Sequence, residues 1–137
     1  MTPKAETISF AYDAVNQLLS KTLPGSQVTS YQYDLVGNLT NVTDPDSVLA
    51  MTHDQANRLL TTATTGSPNQ PAVTLSDTYD KNANRLTVGD GVATNTYTYD
   101  PLNRLASLAS PAGTSIFAYD ALSRRTNLTL PNGTQTT

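Results

Sequence analysis

The sequence predicts an all-β fold of tandem β-hairpin repeats forming a curved, twisted antiparallel sheet. Three observations predict it: a recurring Tyr-Asp motif, the confinement of all aromatic residues to two columns, and a composition of strand formers. Aligned on an aromatic, any residue, then Tyr-Asp, the chain gives Phe10-Ala11-Tyr12-Asp13, Tyr31-Gln32-Tyr33-Asp34 and Met51-Thr52-His53-Asp54. Asp77-Thr78-Tyr79-Asp80, Tyr97-Thr98-Tyr99-Asp100 and Phe117-Ala118-Tyr119-Asp120 complete the set. The Asp residues stand 21, 20, 26, 20 and 20 positions apart, and the long interval holds an insertion, Thr65 to Pro71. All 7 Tyr and both Phe fall in the two aromatic columns. Such self-similarity at a fixed period marks a repeat architecture. The 23 Thr, with Val and Tyr, suit a pleated, half-buried surface, and helix-forming runs are missing.

Each repeat reads as one hairpin. Side chains at i and i+2 share a strand face, so Ile8, Phe10 and Tyr12 point one way while Ser9 and Ala11 point the other. Val73, Leu75 and Tyr79 do the same against Thr74, Ser76 and Thr78. The Asp ends the first strand, where its carboxylate accepts from backbone N–H groups two residues on. An Asn or Gly three positions later suits the left-handed conformation of a tight hairpin turn. Turns are expected at Asp13–Asn16, Asp34–Gly37, Asp54–Asn57, Asp80–Asn84, Asp100–Asn103 and Asp120–Ser123. An Arg or Gln then starts the return strand and a Leu goes back to the apolar face. Repeat four reads as one residue longer before Leu86, and repeat six has Arg125 in place of the Leu. A second set of turns joins the hairpins: Pro24-Gly25, Asp44-Pro45-Asp46, the insertion, Gly89-Asp90-Gly91, Pro111-Ala112-Gly113 and Pro131-Asn132-Gly133. The array is bounded at 8–26, 27–47, 48–72, 73–92, 93–113 and 114–133, with a polar tail at 134–137. A lone hairpin is marginal in water, so stacking should bury the aromatic face continuously across about twelve strands.

Composition removes several function classes. A net charge of −3 and a pI near 4.7, with scattered basic residues, leave no stripe to track phosphates. The absence of Cys excludes disulfides, thiolate metal sites and cysteine nucleophiles. No stretch approaches the roughly 18 apolar residues of a membrane span, and the first residues carry no signal-like apolar region.

The residues singled out are the motif pairs: Tyr12, Asp13, Tyr33, Asp34, His53, Asp54, Tyr79, Asp80, Tyr99, Asp100, Tyr119 and Asp120. Their expected role is structural, with no catalytic residue, cofactor or metal. Stacked hairpins would hold successive Asp residues about 9–10 Å apart, too far to share an ion. His53, the one His, occupies the Tyr column and reads as a substituted face residue. Asp77 occupies the aromatic column, where an unpaired carboxylate is costly, so it should lie near solvent or pair with Arg58 or Arg85. Asn38, Asn41, Asn127 and Asn132 open glycosylation sequons that this Asn- and Thr-rich composition produces by itself.

These residues resemble the YD-repeat (Rhs-repeat) family of bacterial Rhs proteins, B and C components of insecticidal toxin complexes, and teneurins. The resemblance runs from about Ile8 to Gly133, and Tyr99-Asp100-Pro101-Leu102-Asn103-Arg104-Leu105 is a near-ideal unit. It implies a structural segment of a larger secreted or surface-exposed protein, contributing to a β-shell around a C-terminal toxin or effector domain. The alternative it implies is a carbohydrate- or cell-surface-receptor-binding repeat module. The family's closing region and variable toxin domain are not in this sequence. The expected partners are the remaining repeats, an enclosed toxin domain or surface glycans, with edge-to-edge self-association of the isolated chain.

Overall fold

The computed structural model describes residues 7–65 and 71–136. The core of the insertion read at Thr65–Pro71, the first six residues and Thr137 lie outside the described residues. Every described element is a strand: β1 (Ser9–Tyr12), β2 (Leu18–Leu23), β3 (Gln27–Tyr33), β4 (Leu39–Thr43), β5 (Val48–His53), β6 (Leu59–Thr65), β7 (Val73–Tyr79), β8 (Arg85–Gly89), β9 (Thr94–Tyr99), β10 (Leu105–Ser110), β11 (Gly113–Tyr119), β12 (Arg125–Thr129) and β13 (Gln135–Thr136). The chain forms two compact units, Met1–Thr74 and Leu75–Thr137. Within each unit the strand order is the chain order and every neighbouring pair is antiparallel.

The register places the aromatic columns opposite Leu and Val. Tyr31 faces Val42 and Tyr33 faces Leu39 in the second hairpin. Tyr97 faces Leu108 and Tyr99 faces Leu105 in the fifth, and Phe117 faces Leu128 in the sixth. Directly opposed residues share a face, so one side is aromatic and aliphatic. The other side is small and hydroxylated. There Thr52 meets Thr61, Thr78 meets Thr87 and Thr98 meets Ser107, each oxygen pair 2.6 Å apart.

Each of the six hairpins carries a β-bulge beside its Tyr column. In the first, Ala11 pairs with Ser20 and Tyr12 with Leu18, leaving Leu19 as the extra residue. Leu86 holds the same place in the fourth hairpin, because Tyr79 pairs with Arg85 and Thr78 with Thr87. This corrects the sequence alignment. The fourth turn is not longer; it runs from Asp80 to a left-handed Ala83 (φ 67), and Arg85, not Leu86, occupies the Leu column. Aligning on Leu misplaced a bulge residue.

Two further expectations fail for identifiable reasons. Among the described residues no hydrophobic side chain is buried; the alternation in β9 and β11 is between half-buried and exposed. Neighbouring strands shield only the flanks of each ring within a sheet, and among the described residues no second layer covers its outward face. Among the described residues there are thirteen strands where about twelve were expected, because part of the polar tail forms β13 against β12. It follows a turn closed by Leu130 N–H to Thr134 C=O and Gly133 N–H to Leu130 C=O. That is the backbone pattern of the Tyr-Asp turns.

Candidate functional site: the Tyr-Asp turns

The motif Asp builds its turn with one oxygen. In all six turns Oδ1 accepts from the backbone N–H groups two and four residues on, at 2.8 to 3.0 Å. The backbone adds Asp13 N–H to Gln17 C=O and Asn16 N–H to Asp13 C=O, and the same pair recurs at every motif. The third residue after each Asp is left-handed: Asn16, Gly37, Asn57, Ala83, Asn103 and Ser123, with φ between 59 and 93. This is a three-residue hairpin loop ending in a left-handed residue. The fourth residue belongs to the turn, so it does not start the return strand as the sequence suggested.

The second oxygen holds that fourth side chain. Asp34 Oδ2 accepts from Asn38 and Asp80 Oδ2 from Asn84, both at 2.9 Å. Arg58, Arg104 and Arg124 place Nε 2.6 to 2.7 Å from the Oδ2 of Asp54, Asp100 and Asp120. Three of these side chains also reach the left-handed residue of the following turn. Asn38 donates to Asn57 Oδ1 at 2.9 Å, Asn84 to Asn103 Oδ1 at 3.0 Å, and Arg104 to Ser123 Oγ at 3.3 Å. Arg104 also donates to the Asp120 carbonyl at 2.9 Å, its guanidinium 4.7 Å from the Tyr119 ring centre. A polar ladder therefore links turn to turn. Sequence reasoning missed it, although the two columns that build it are regular.

These bonds hold the carboxyls of Asp34, Asp54, Asp100 and Asp120 below the ordinary aspartate range. For Asp54, Asp100 and Asp120 the largest cause is the N–H of Arg58, Arg104 and Arg124; for Asp34 it is the Asn38 amide. Asp44 and Asp90, in the opposite turns, are lowered by the N–H groups of Asp46 and Ala93. Among the described residues no three His, Cys, Asp or Glu side chains gather to hold a metal.

The Tyr column links hairpins the other way. Tyr33 donates its hydroxyl to the Leu18 carbonyl at 3.1 Å, and Tyr99 to the Arg85 carbonyl at 2.9 Å. Both acceptors sit at a bulge of the preceding hairpin, where ladder bonding is interrupted. Tyr33 and Tyr99 thus grip the repeat before their own. Burial, with Asp80 nearby, pushes the Tyr99 phenol above its usual range. His53 stands opposite Leu59 with no hydroxyl to give, and its Nδ1 is shielded without a hydrogen-bond partner.

Asp77 is the one buried residue described, at 7% exposure, and pairs with Arg85 at 2.9 Å. The contact is ionic: the Arg85 N–H is not aligned on Oδ1, which has no hydrogen bond. An acid in the aromatic column is thus matched by a base in the Leu column of the same hairpin. Of the sequon residues, Asn38 is committed to the ladder, and Oδ1 of Asn41 and Asn127 is shielded from solvent. Leu86, Tyr97, Tyr99, Asp80, Asn82 and Asp100 line an open groove of about 460 Å³.

The RHS Repeat family model matches residues 12–49, 33–69 and 99–135, together well over half of the chain. The chain belongs to the RHS Repeat family. Among solved structures, it is similar to a chain of the TcdB2-TccC3-TEV crystal structure, with a TM-score of 0.64 and 16% identity over 90% of this chain. It is also similar to a chain in a mutant Tc holotoxin pore of Photorhabdus luminescens, with a TM-score of 0.54 and 17% identity, again over 90%. The RHS Repeat chain spans only 9% of the length of either neighbour. At these identities the likeness is one of fold. No curated protein matches it significantly in sequence.

Proposed function

We propose that this RHS Repeat chain is a structural, non-catalytic segment of a larger secreted or surface-exposed protein. In that reading residues 8–133 are one array of six repeats and form part of the wall of a β-shell enclosing a C-terminal toxin or effector domain. The observation that carries the reading is the single-layer sheet: one aromatic face half-buried and one hydroxylated face, with no apolar core among the described residues. A wall separating an interior from solvent has this construction, whereas a self-contained domain needs a second layer. Both structural neighbours come from toxin complexes and are far longer than this chain, which supports the same parentage. The test is limited proteolysis of the full-length parent. Its C-terminal domain should be cut about tenfold more slowly than the same domain expressed alone, because cleavage then awaits opening of the shell. Equal rates would overturn the enclosure.

A second reading, a carbohydrate-binding module, is favoured by the groove of Tyr97 and Tyr99 beside Asp80, Asn82 and Asp100. Aromatic rings with adjacent carboxylates and amides suit a sugar's apolar face and hydroxyls. Glycan-array binding by the full chain that disappears in Tyr97→Ala would establish it; an empty array would remove it.

A further inference from the structure

We propose that the groove over Tyr99 binds an arginine side chain presented by another polypeptide. The template for this contact lies inside the chain itself. Arg104, the fourth residue after Asp100, sets its guanidinium 4.7 Å from the centre of the Tyr119 ring. It donates to the Asp120 carbonyl at 2.9 Å and to Ser123 Oγ at 3.3 Å. That carbonyl already accepts the Ser123 N–H at 3.1 Å, so the guanidinium takes its second lone pair. Ring, carbonyl and left-handed side chain together form a slot for a planar cation.

One turn earlier the same features line the open groove. Tyr99 supplies the ring, and Asn103 supplies the left-handed side chain at φ 59. The Asp100 carbonyl accepts the Asn103 N–H at 2.9 Å and no second donor among the described residues. The difference is the fourth residue. Asn84 stands where Arg104 stands in the next turn, and its short amide ends on Asp80 Oδ2 and Asn103 Oδ1. The groove of about 460 Å³ opens over the ring, lined also by Asp80, Leu86 and Tyr97. The other turns that follow a turn of the same unit are arranged differently. Gln17 extends until its Nε2 stands 3.2 Å from where a Cβ on Gly37 would lie. The turn after Asn38 has His53 in place of the ring. Of these turns, only that of Tyr99 joins a ring and a singly bonded carbonyl to a short preceding side chain.

Chemistry narrows the ligand. A guanidinium stacks on an aromatic face and is weakly hydrated, whereas an ammonium is a compact, strongly hydrated charge. Asp80 and Asp100 add carboxylates to the lining, and the chain carries a net charge of −3, so a cation is favoured. The same carboxylates oppose the α-carboxylate of free arginine. An arginine within a polypeptide has no such group, which makes it the ligand that the groove fits. This ligand is a rival to the sugar of the second reading, and the inference does not depend on the shell.

The experiment titrates the full chain, its tyrosine rings isotope-labelled and followed by NMR, with N-acetyl-arginine amide. The Tyr99 and Tyr97 ring signals should shift to saturation while those of Tyr31 and Tyr33 stay fixed. N-acetyl-lysine amide should bind about fivefold more weakly, and free arginine more weakly than its amide. Asn84→Arg supplies the guanidinium from within the chain. Its Tyr99 signal should start displaced in the direction that the ligand moves it in the unsubstituted chain, and added amide should change it no further. No saturable shift at Tyr99, equal binding of the two amides, or free arginine binding as well as its amide would overturn the proposal. So would an Asn84→Arg chain that responds like the unsubstituted one. Tyr99 signals that move with glycans and not with the arginine amide would overturn it and support the sugar reading. The comparison of the two amides needs only the unsubstituted chain, so it decides the matter even where Asn84→Arg does not fold.

Discussion

At the scale of single residues, the columns state what each position must supply, and departures from them become testable. Tyr99 supplies a hydroxyl to the Arg85 carbonyl at the fourth bulge. Tyr99→Phe removes that bond alone and should cost about 1 kcal/mol in a urea melt. His53 is the converse case. It stands in the same column, opposite Leu59, with its Nδ1 shielded and unpartnered. His53→Tyr restores the hydroxyl and should stabilise by about 0.5–1.5 kcal/mol; a loss of stability would show that the column rule does not extend to this repeat. Asp77 and Arg85 depart together. Arg85→Leu alone strands a carboxylate that is 6% exposed on its side chain, and should cost about 2–3 kcal/mol, the lower part of the range because Arg85 is itself 47% exposed. Adding Asp77→Phe recreates the aromatic and Leu columns of the second and fifth hairpins and should recover most of the loss. A double mutant no better than the single would mean that the ion pair is not a unit.

At the scale of the element, the Tyr-Asp turn was legible because its chemistry is local. Asp, a left-handed Asn or Gly three residues on, and an apolar return strand all lie within six positions, and each residue type has a reason to be there. Two features were not legible. The bulge hid the true column of Arg85, since Leu86 offers the same residue type one position later. The turn-to-turn ladder joins Asn38 to Asn57 and Arg104 to Ser123, nineteen positions apart, a relation that needs the sheet register to be seen. With the register known, Ala83 stands out as an alanine at φ 67 where other turns use Asn, Gly or Ser. Left-handed alanine carries a steric cost of about 1–2 kcal/mol. Ala83→Asn should therefore stabilise by about 0.5–1 kcal/mol, measured as a shift in urea midpoint at unchanged slope. The turns also set the acid response. The carboxyl pKa values of Asp34, Asp54, Asp100 and Asp120 are held below the ordinary aspartate value, so the unfolded chain binds more protons as pH falls. Their contribution is complete above about pH 4 and is lost as pH drops through the depressed values. Urea midpoints should be flat from about pH 7 to 5 and fall below about pH 4, and Asp100→Asn with Asp120→Asn should make that fall shallower. An unchanged acid limb would show that the turns do not control it.

At the scale of the whole molecule, the sequence made the architecture readable and left its energetics obscure. The period and the two aromatic columns announce stacked hairpins, but they also suggest a continuous buried face, and none is present among the described residues. Burial needs a second layer, and nothing in a repeat pattern says whether one exists. In this chain each strand answers only to its neighbours in sequence, so stability is approximately a sum of hairpin and interface terms. An interior hairpin opens only by breaking interfaces on both sides, whereas an end hairpin breaks one. Amide exchange should then be graded within each unit: slowest in β3–β5 of the first and β9–β11 of the second, fastest in β1 and β13. Uniform protection would mean that the units open as wholes and that the nearest-neighbour description is wrong.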